Sequence, residues 1–182
     1  GMNERGVAVL DPQLRPIGQI LTNDSATGQA SGAALFKGGV VGGITQSTDG
    51  SVWVGSDSGI YQFSPQRKLL RHYSAGQGRA RRMLATGDGS VWAGTQDGVY
   101  RRPAGGEGFD RLRLQYGGVI NGNVNALAES TDGSIWVGGN NGLYVVQPGG
   151  QDLQPVTSPP GQGLLQTAVL GLLVDSQQVL WV

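Results

Sequence analysis

A seven-residue string recurs through this chain in nearly fixed form. It reads Asp49-Gly50-Ser51-Val52-Trp53-Val54-Gly55, then Asp88-Gly89-Ser90-Val91-Trp92-Ala93-Gly94, then Asp132-Gly133-Ser134-Ile135-Trp136-Val137-Gly138. Ser176-Gln177-Gln178-Val179-Leu180-Trp181-Val182 is a degenerate fourth copy. Trp53, Trp92, Trp136 and Trp181 therefore follow one another at intervals of 39, 44 and 45 residues. The register extends beyond the string. Val41, Ala80, Val124 and Val169 stand twelve residues before each tryptophan, and Ile44, Met83, Leu127 and Leu172 stand nine before it. Gly59-Ile60-Tyr61, Gly98-Val99-Tyr100 and Gly142-Leu143-Tyr144 follow the first three. A unit this short cannot bury its apolar faces alone, so the copies must stack on one another.

Strand and turn chemistry says what the unit is. An Asp-Gly pair between two apolar runs marks a hairpin, because both residues tolerate positive φ. The first strand of each unit is then expected to end just before Asp49, Asp88 or Asp132, and the second to begin at Val52, Val91 or Ile135. In the second strand large or β-branched residues alternate with small ones, so that one face packs on the next unit. The glycines after the tryptophan, Gly55, Gly94 and Gly138, are expected to open the next turn. A third strand carries the tyrosine, and a fourth is expected at Leu69–Tyr73, Arg111–Leu114 and Leu153–Val156. Four antiparallel strands recurring at roughly 40 to 45 residues define a β-propeller blade. The chain thus reads as one all-β propeller domain or fragment spanning residues 1–182, with blades at about 40–73, 79–114 and 123–156. At the ends, 6–21 fits a third and fourth strand, and 168–182 a first and second, so a fourth blade is expected to be split between them.

Composition narrows the function. The 33 glycines among 182 residues suit many tight turns, and charged residues are only 14% with a formal net charge of zero, which gives no global field for nucleic acid or an anionic membrane. With no cysteine, disulfides and thiolate metal sites are excluded, and compartment is left open. No run of about 20 apolar residues occurs; Leu164–Val182 comes nearest and is interrupted by Gln166, Asp175, Gln177 and Gln178. The first residues, Gly1-Met2-Asn3-Glu4-Arg5, carry no apolar leader. Gly1 before Met2 reads as a residue left by tag removal, so an address label and neighbouring domains are expected to lie outside this sequence.

The repeat resembles the two-component regulator propeller repeat, in which a valine, an apolar residue, an Asp, a Gly and a Trp succeed one another at intervals of three, followed by Gly-Thr and Gly-Leu. All four copies match that spacing, but the Asp is kept only as Asp175 and is replaced by Ser47, Thr86 and Ser130, and the Thr is kept only as Thr95. The resemblance implies a non-enzymatic, ligand-sensing extracytoplasmic or periplasmic module of a bacterial histidine kinase, hybrid kinase-regulator or diguanylate cyclase. Membrane contact would come only through segments outside this sequence. The implied ligand is a small molecule or a polysaccharide-derived fragment, with no cofactor, metal or nucleic acid. Such propellers usually have about seven blades. Four imply a fragment, a truncated relative, or a homodimer in which two chains build one larger ring, for example of eight blades.

Candidate residues follow from the expected geometry. The tryptophans, at a fixed place on the second strand, are expected to pack between blades rather than to stack on a sugar or base. The Asp-Gly pairs lack the further carboxylates of a calcium loop. First strands line a propeller's channel, so the loops entering them are the better place for a polar ligand. Those loops hold Arg79, Arg81 and Arg82 in one blade and Asn121, Asn123 and Asn125 in the next. Loops between second and third strands, with Ser56, Asp57, Ser58, Gln96, Asp97, Asn140 and Asn141, share that end but contain ordinary turn residues. The arginines between Arg67 and Arg113 suit either an anionic partner or a solvated edge that discourages strand addition. His72, the sole histidine, sits among Arg67, Lys68 and Arg71 on an expected outer strand. It would carry the alternative reading of a propeller lyase or hydrolase resembling virginiamycin B lyase. A purely structural interaction module is the third reading. The segment Thr22–Gly39 is expected to form a loop over the channel mouth or to lack order.

Overall fold

The computed structural model describes residues 6–21, 40–74, 79–157 and 167–182, and all regular structure among them is β. The Thr22–Gly39 segment lies outside the described residues. β1 (Gly6–Leu10) and β2 (Pro16–Leu21) form a two-stranded sheet. β3 (Val41–Gln46), β4 (Val52–Ser56), β5 (Gly59–Phe63) and β6 (Leu69–Tyr73) form the first whole blade, an antiparallel meander. β7 (Arg82–Ala85), β8 (Val91–Gly94), β9 (Val99–Arg102) and β10 (Asp110–Arg111) form the second. β12 (Val124–Glu129), β13 (Ile135–Gly139), β14 (Gly142–Val146) and β15 (Asp152–Pro155) form the third, with β11 (Arg113–Leu114) added at its edge. β16 (Leu173–Val174) and β17 (Leu180–Trp181) make a final two-stranded sheet, separate from β1–β2.

The hairpin between first and second strands differs from a two-residue turn, because only the glycine takes positive φ. Gly50, Gly89 and Gly133 sit at +82°, +80° and +85°, whereas no aspartate of the string does. In the first blade Gly50 N–H donates to the Ser47 carbonyl (2.9 Å) and Ser47 N–H to the Ser51 carbonyl (3.0 Å), so three residues bridge the strands. The aspartate instead caps the turn. Asp49 Oδ1 accepts from Ser47 Oγ (2.6 Å) and Ser51 N–H (2.9 Å), and Oδ2 accepts from Ser51 Oγ (3.1 Å). Short polar side chains stabilise turns by bonding backbone two residues away in this manner. Ser47 Oγ then accepts the Trp53 Nε1 proton (2.9 Å), as Ser130 Oγ does for Trp136 (2.8 Å). In the fourth copy Asp175 performs both tasks, taking Val179 N–H on one oxygen (2.9 Å) and Trp181 Nε1 on the other (2.8 Å). In the first and third blades the Ser-x-Asp pair divides between two side chains what one aspartate does there, whereas in the second, with Thr86 in the serine's place, Trp92 Nε1 is buried without a partner among the described residues.

The glycine two places after each tryptophan does not open a turn. Gly55, Gly94 and Gly138 lie within β4, β8 and β13, and each receives a side chain of the following unit. A Cβ on Gly55 would stand 2.9 Å from Ala80 Cβ, one on Gly94 2.6 Å from Val124 Cγ1, and one on Gly138 2.5 Å from Val169 Cγ1. Ala80, Val124 and Val169 are the members of the repeat twelve residues before the next tryptophan, and all three are buried. The same residues stitch the backbones together: Ala80 N–H donates to Ser56 O (3.1 Å), Val124 N–H to Thr95 O (2.9 Å) and Val169 N–H to Gly139 O (2.9 Å). Glycine is required because any side chain would part the two sheets.

Trp53 and Trp92 act at these seams. Trp53 shares a buried cluster with Ile60 and Tyr73 of its own blade and Ala80, Val91, Ala93 and Tyr100 of the second. Trp92 joins Val99 to Val124, Ile135, Val137, Val146 and Leu153 of the third. Second strands are consequently buried on both faces, as β8 is throughout, rather than alternating between core and solvent. Trp181, at the end of the row, is 61% exposed. The expected fourth strand Arg111–Leu114 is divided. Asp110 and Arg111 pair with β9, Leu112 N–H still reaches Val99 O (3.0 Å), and Arg113 and Leu114 then pair parallel with Asp152 and Leu153 of the next blade. Leu112 is buried at this handover, in the cluster that holds Trp92.

Candidate binding face

First strands lie side by side: β3 contacts β7, β7 contacts β12, and β12 contacts β16. The loops that enter them therefore gather at one end, and with them the residues expected to bind. There the side chains are organised into links between units. Arg79 Nε pairs with Asp57 Oδ1 (3.1 Å), whose other oxygen accepts Val40 N–H (3.1 Å). The Arg82 guanidinium donates to the Asn125 carbonyl of the next blade and, at 3.0 Å, to the Arg81 carbonyl. Asn125 Nδ2 in turn reaches Asn140 Oδ1 (2.9 Å) and the Val169 carbonyl (3.2 Å). Asn140 N–H donates to the Asn123 carbonyl, and Asn141 Nδ2 to the Asn121 carbonyl, each at 3.1 Å. The arginines and asparagines thus form a rail of polar contacts that crosses three seams. Among the described residues the Arg81 side chain has no hydrogen bond or ion pair, and Arg79, Arg82 and Asn121 remain exposed. This end can offer guanidinium donors and side-chain amides together.

The turns between second and third strands are held from within. Ser58 Oγ meets Tyr61 Oη (2.9 Å), and Tyr100 Oη donates to Asp97 Oδ2 (3.0 Å). In the first and second blades the tyrosine of the Gly-x-Tyr element thus locks the turn before its own strand. Burial first, and the adjacent Asp97 carboxylate second, raise the Tyr100 phenol above its usual range, so it stays a donor. His72 lies on β6, the strand farthest from β3 in its sheet, stacked on Tyr61 at 4.3 Å with Nε2 2.9 Å from the Ser58 carbonyl.

At the opposite end, between the Asp-Gly turns of the second and third blades, is a cavity of about 600 Å³ that the sequence does not announce. Its walls include Asp88, Trp92, Arg101, Glu129 and Asp132. Arg101 lies over the Trp92 ring at 5.1 Å and donates to Asp88 Oδ2 (3.2 Å) and the Gly150 carbonyl (3.2 Å). The Glu129 carboxylate accepts Gly87 N–H (3.1 Å), so the cavity's charged groups also tie neighbouring blades together. Its walls come from four separated stretches, three of them around ordinary-looking turns and the fourth Arg101 on β9. The one available signal was Arg101, which occupies the position of Gln62 and Val145 in the sister blades.

Stacked four-stranded meanders with innermost strands adjacent and tryptophans at the seams define a β-propeller. Within it, residues 118–141 match the model of the two-component regulator propeller family. Solved structures show the same fold at low identity. The extracellular domain of BT3049 from B. thetaiotaomicron, classed as a hybrid two-component system, superposes with a TM-score of 0.70 at 18% identity, over 97% of this chain and 24% of that one. The extracellular domain of BT4673 from the same organism gives 0.60 at 19%, over 78% and 20%. Virginiamycin B lyase from Staphylococcus aureus gives 0.61 at 19%, over 79% and 48%. The chain spans about a fifth of the length of the BT4673 extracellular domain. No curated protein sequence matches it.

Proposed function

We propose that this chain is a non-enzymatic ligand-binding propeller module of an extracytoplasmic bacterial signalling protein. The observation that carries the proposal is the two-component regulator propeller repeat at 118–141, in a fold shared with extracellular domains of hybrid two-component systems. The ligand is polar and carries anionic or hydroxyl-rich groups, a small molecule or a polysaccharide-derived fragment. It is held at the end where Arg79, Arg81 and Arg82 meet Asn121, Asn123 and Asn125. Because those residues also join adjacent blades, a ligand that binds them favours one blade arrangement over another, which is what a sensor must do to signal.

Against a lyase on the same scaffold stands the placement of His72, which is held by Tyr61 and Ser58 on a fourth strand, away from the first strands. The test is a thermal-shift and calorimetric screen of neutral and acidic oligosaccharides and small carboxylates, repeated on Arg81→Ala. Arg81 is chosen because its side chain makes no hydrogen bond or ion pair among the described residues. A ligand whose affinity falls at least tenfold in Arg81→Ala supports the reading. Equal binding to both proteins refutes this face as the site, and turnover of a bound compound refutes the non-enzymatic role.

A further inference from the structure

The cavity between the second and third blades is built beside a buried donor that has nothing to bond. In the first and third blades the indole N–H is taken by the serine six residues earlier, Ser47 for Trp53 (2.9 Å) and Ser130 for Trp136 (2.8 Å). Thr86 holds that position in the second blade. Its Oγ1 bonds Asp88 Oδ1 (2.6 Å) and the Ser90 carbonyl (3.0 Å), and Trp92 Nε1 has no hydrogen-bond partner among the described residues, although Trp92 is only 2% exposed. Buried indole N–H groups ordinarily have an acceptor. Thr86 and Trp92 both line the cavity, so the unpaired proton lies at its wall, on the side where the sister blades keep a serine.

Strand register shows why this seam is open. Above Trp53 the first seam is filled by side chains of the second blade: Arg102 lies 5.2 Å from the ring, and Phe109 meets it edge-on at 6.1 Å. In the third blade Val146 pairs with Ile135 as Arg102 does with Val91, and Leu153 precedes Gln154 as Phe109 precedes its counterpart Asp110. Two long side chains are thus replaced by shorter aliphatic ones, and Val146 lines the space of about 600 Å³ that results, a volume usual for a small-molecule site. Both blades that build the walls are whole meanders.

The charged residues of the wall are Asp88, Glu129 and Asp132 against Arg101 alone, which leaves the cavity net negative at neutral pH. Arg101 is engaged by Asp88 (3.2 Å). The Glu129 carboxylate accepts Gly87 N–H, and that of Asp132 accepts from Ser134; each carboxylate has about four acceptor sites, so capacity remains on both. An occupant must therefore be rich in donors and bring an acceptor for Trp92. A hydroxyl group does both. We propose that this cavity is a second binding site, separate from the arginine and asparagine end, for a polyhydroxylated small molecule without negative charge, a sugar or polyol. One hydroxyl accepts the Trp92 Nε1 proton, and others donate to Glu129 and Asp132. The inference stands independently of the ligand proposed for the opposite end.

Proton–nitrogen NMR of the whole chain tests it, because the four tryptophans give four indole signals. Thr86→Ser restores the acceptor of the sister blades and should shift one of them alone, which assigns Trp92. The parent protein is then titrated with glucose, glucosamine and glucuronate, a neutral, a cationic and an anionic form of one sugar. Expected is a saturable shift of the Trp92 signal with glucose and glucosamine while those of Trp53 and Trp136 stay in place. Glucuronate should bind roughly tenfold more weakly than glucosamine, since its carboxylate meets the cavity's negative charge. In Thr86→Ser, where the proton is already taken, glucose should bind about fivefold more weakly than to the parent. A Trp92 signal that none of the three sugars moves, equal affinity for glucosamine and glucuronate, or four unmoved indole signals in Thr86→Ser would each overturn the proposal. The Trp92 signal reads this cavity alone, so its failure is distinct from failure of the arginine end.

Discussion

The seam between the second and third blades gives the sharpest test of how the repeat holds together. In Gly94→Ala the added Cβ would stand 2.6 Å from Val124 Cγ1, 3.0 Å from Val124 Cβ and 3.2 Å from Arg82 Cβ. Carbon atoms rest at about 3.5–4.0 Å, so the sheets must part by roughly 1 Å or Val124 must turn. Val124 is fully buried and β-branched, hence stiff, and its N–H is bonded to Thr95 O at 2.9 Å. Overpacking of this kind costs about 1–3 kcal/mol, or roughly 2–4 °C in Tm for each kcal/mol in a domain of this size. Val124→Ala removes the closest atom at the cost of a small cavity, so Gly94→Ala/Val124→Ala should be more stable than the two single losses add up to, by about 1 kcal/mol or more. Urea unfolding followed by tryptophan fluorescence measures all three variants. Gly108→Ala serves as control, because nothing lies within 4 Å of its added Cβ and its φ is ordinary. A Gly94→Ala as stable as the parent, or strict additivity with Val124→Ala, would refute the claim that this glycine exists to admit Val124.

Three further outcomes follow from the same contacts. Ser47→Ala leaves the buried Trp53 Nε1 without its acceptor and should cost about 1–3 kcal/mol in equilibrium unfolding. The Asp49 carboxyl is held below its usual range by the Ser47 hydroxyl first and Ser51 N–H next; at Asp88 burial opposes, and hydrogen bonds from Thr86 and Ser90 with the Arg101 charge prevail. A lowered folded-state value means that both contributions are complete above about pH 4 and disappear as pH falls through that lowered value; Asp49→Asn should be less stable at neutral pH yet lose less on acidification, read from urea midpoints between pH 6 and pH 2. The Arg102 guanidinium lies 5.2 Å from the Trp53 ring centre and 5.8 Å from that of Tyr73, so Arg102→Met should lower stability by about 1 kcal/mol and alter Trp53 emission.

Much of this fold is a consequence of sequence period. Four tryptophans in register, with Asp-Gly before and Gly-x-Tyr after, locate β4, β8 and β13, the hairpins that precede them and the tyrosine strands that follow. Such features are local, since turn geometry and strand alternation act over a few residues. The expected binding residues were legible in the same way, as positions at the entrance of first strands. Their occupation was not: Arg79 and Arg82 spend their guanidinium donors on Asp57 and on the Asn125 carbonyl, contacts that exist only once blades are stacked. The cavity beside Arg101 was hidden for the same reason.

The DGSxWxG string by itself determined that this protein is periodic, all-β and built of blades. Tertiary structure decided what each letter does. The aspartate caps rather than bends, the serine two residues before it holds the indole in the first and third blades, and the second glycine is bare so that the next unit's alanine or valine can enter. It also decided that β1–β2 sits against the first blade and β16 beside β12 of the third. A sequence records spacing along the chain, whereas a seam between sheets is made of atoms distant in sequence, and only the stacking of one unit on another brings them within reach.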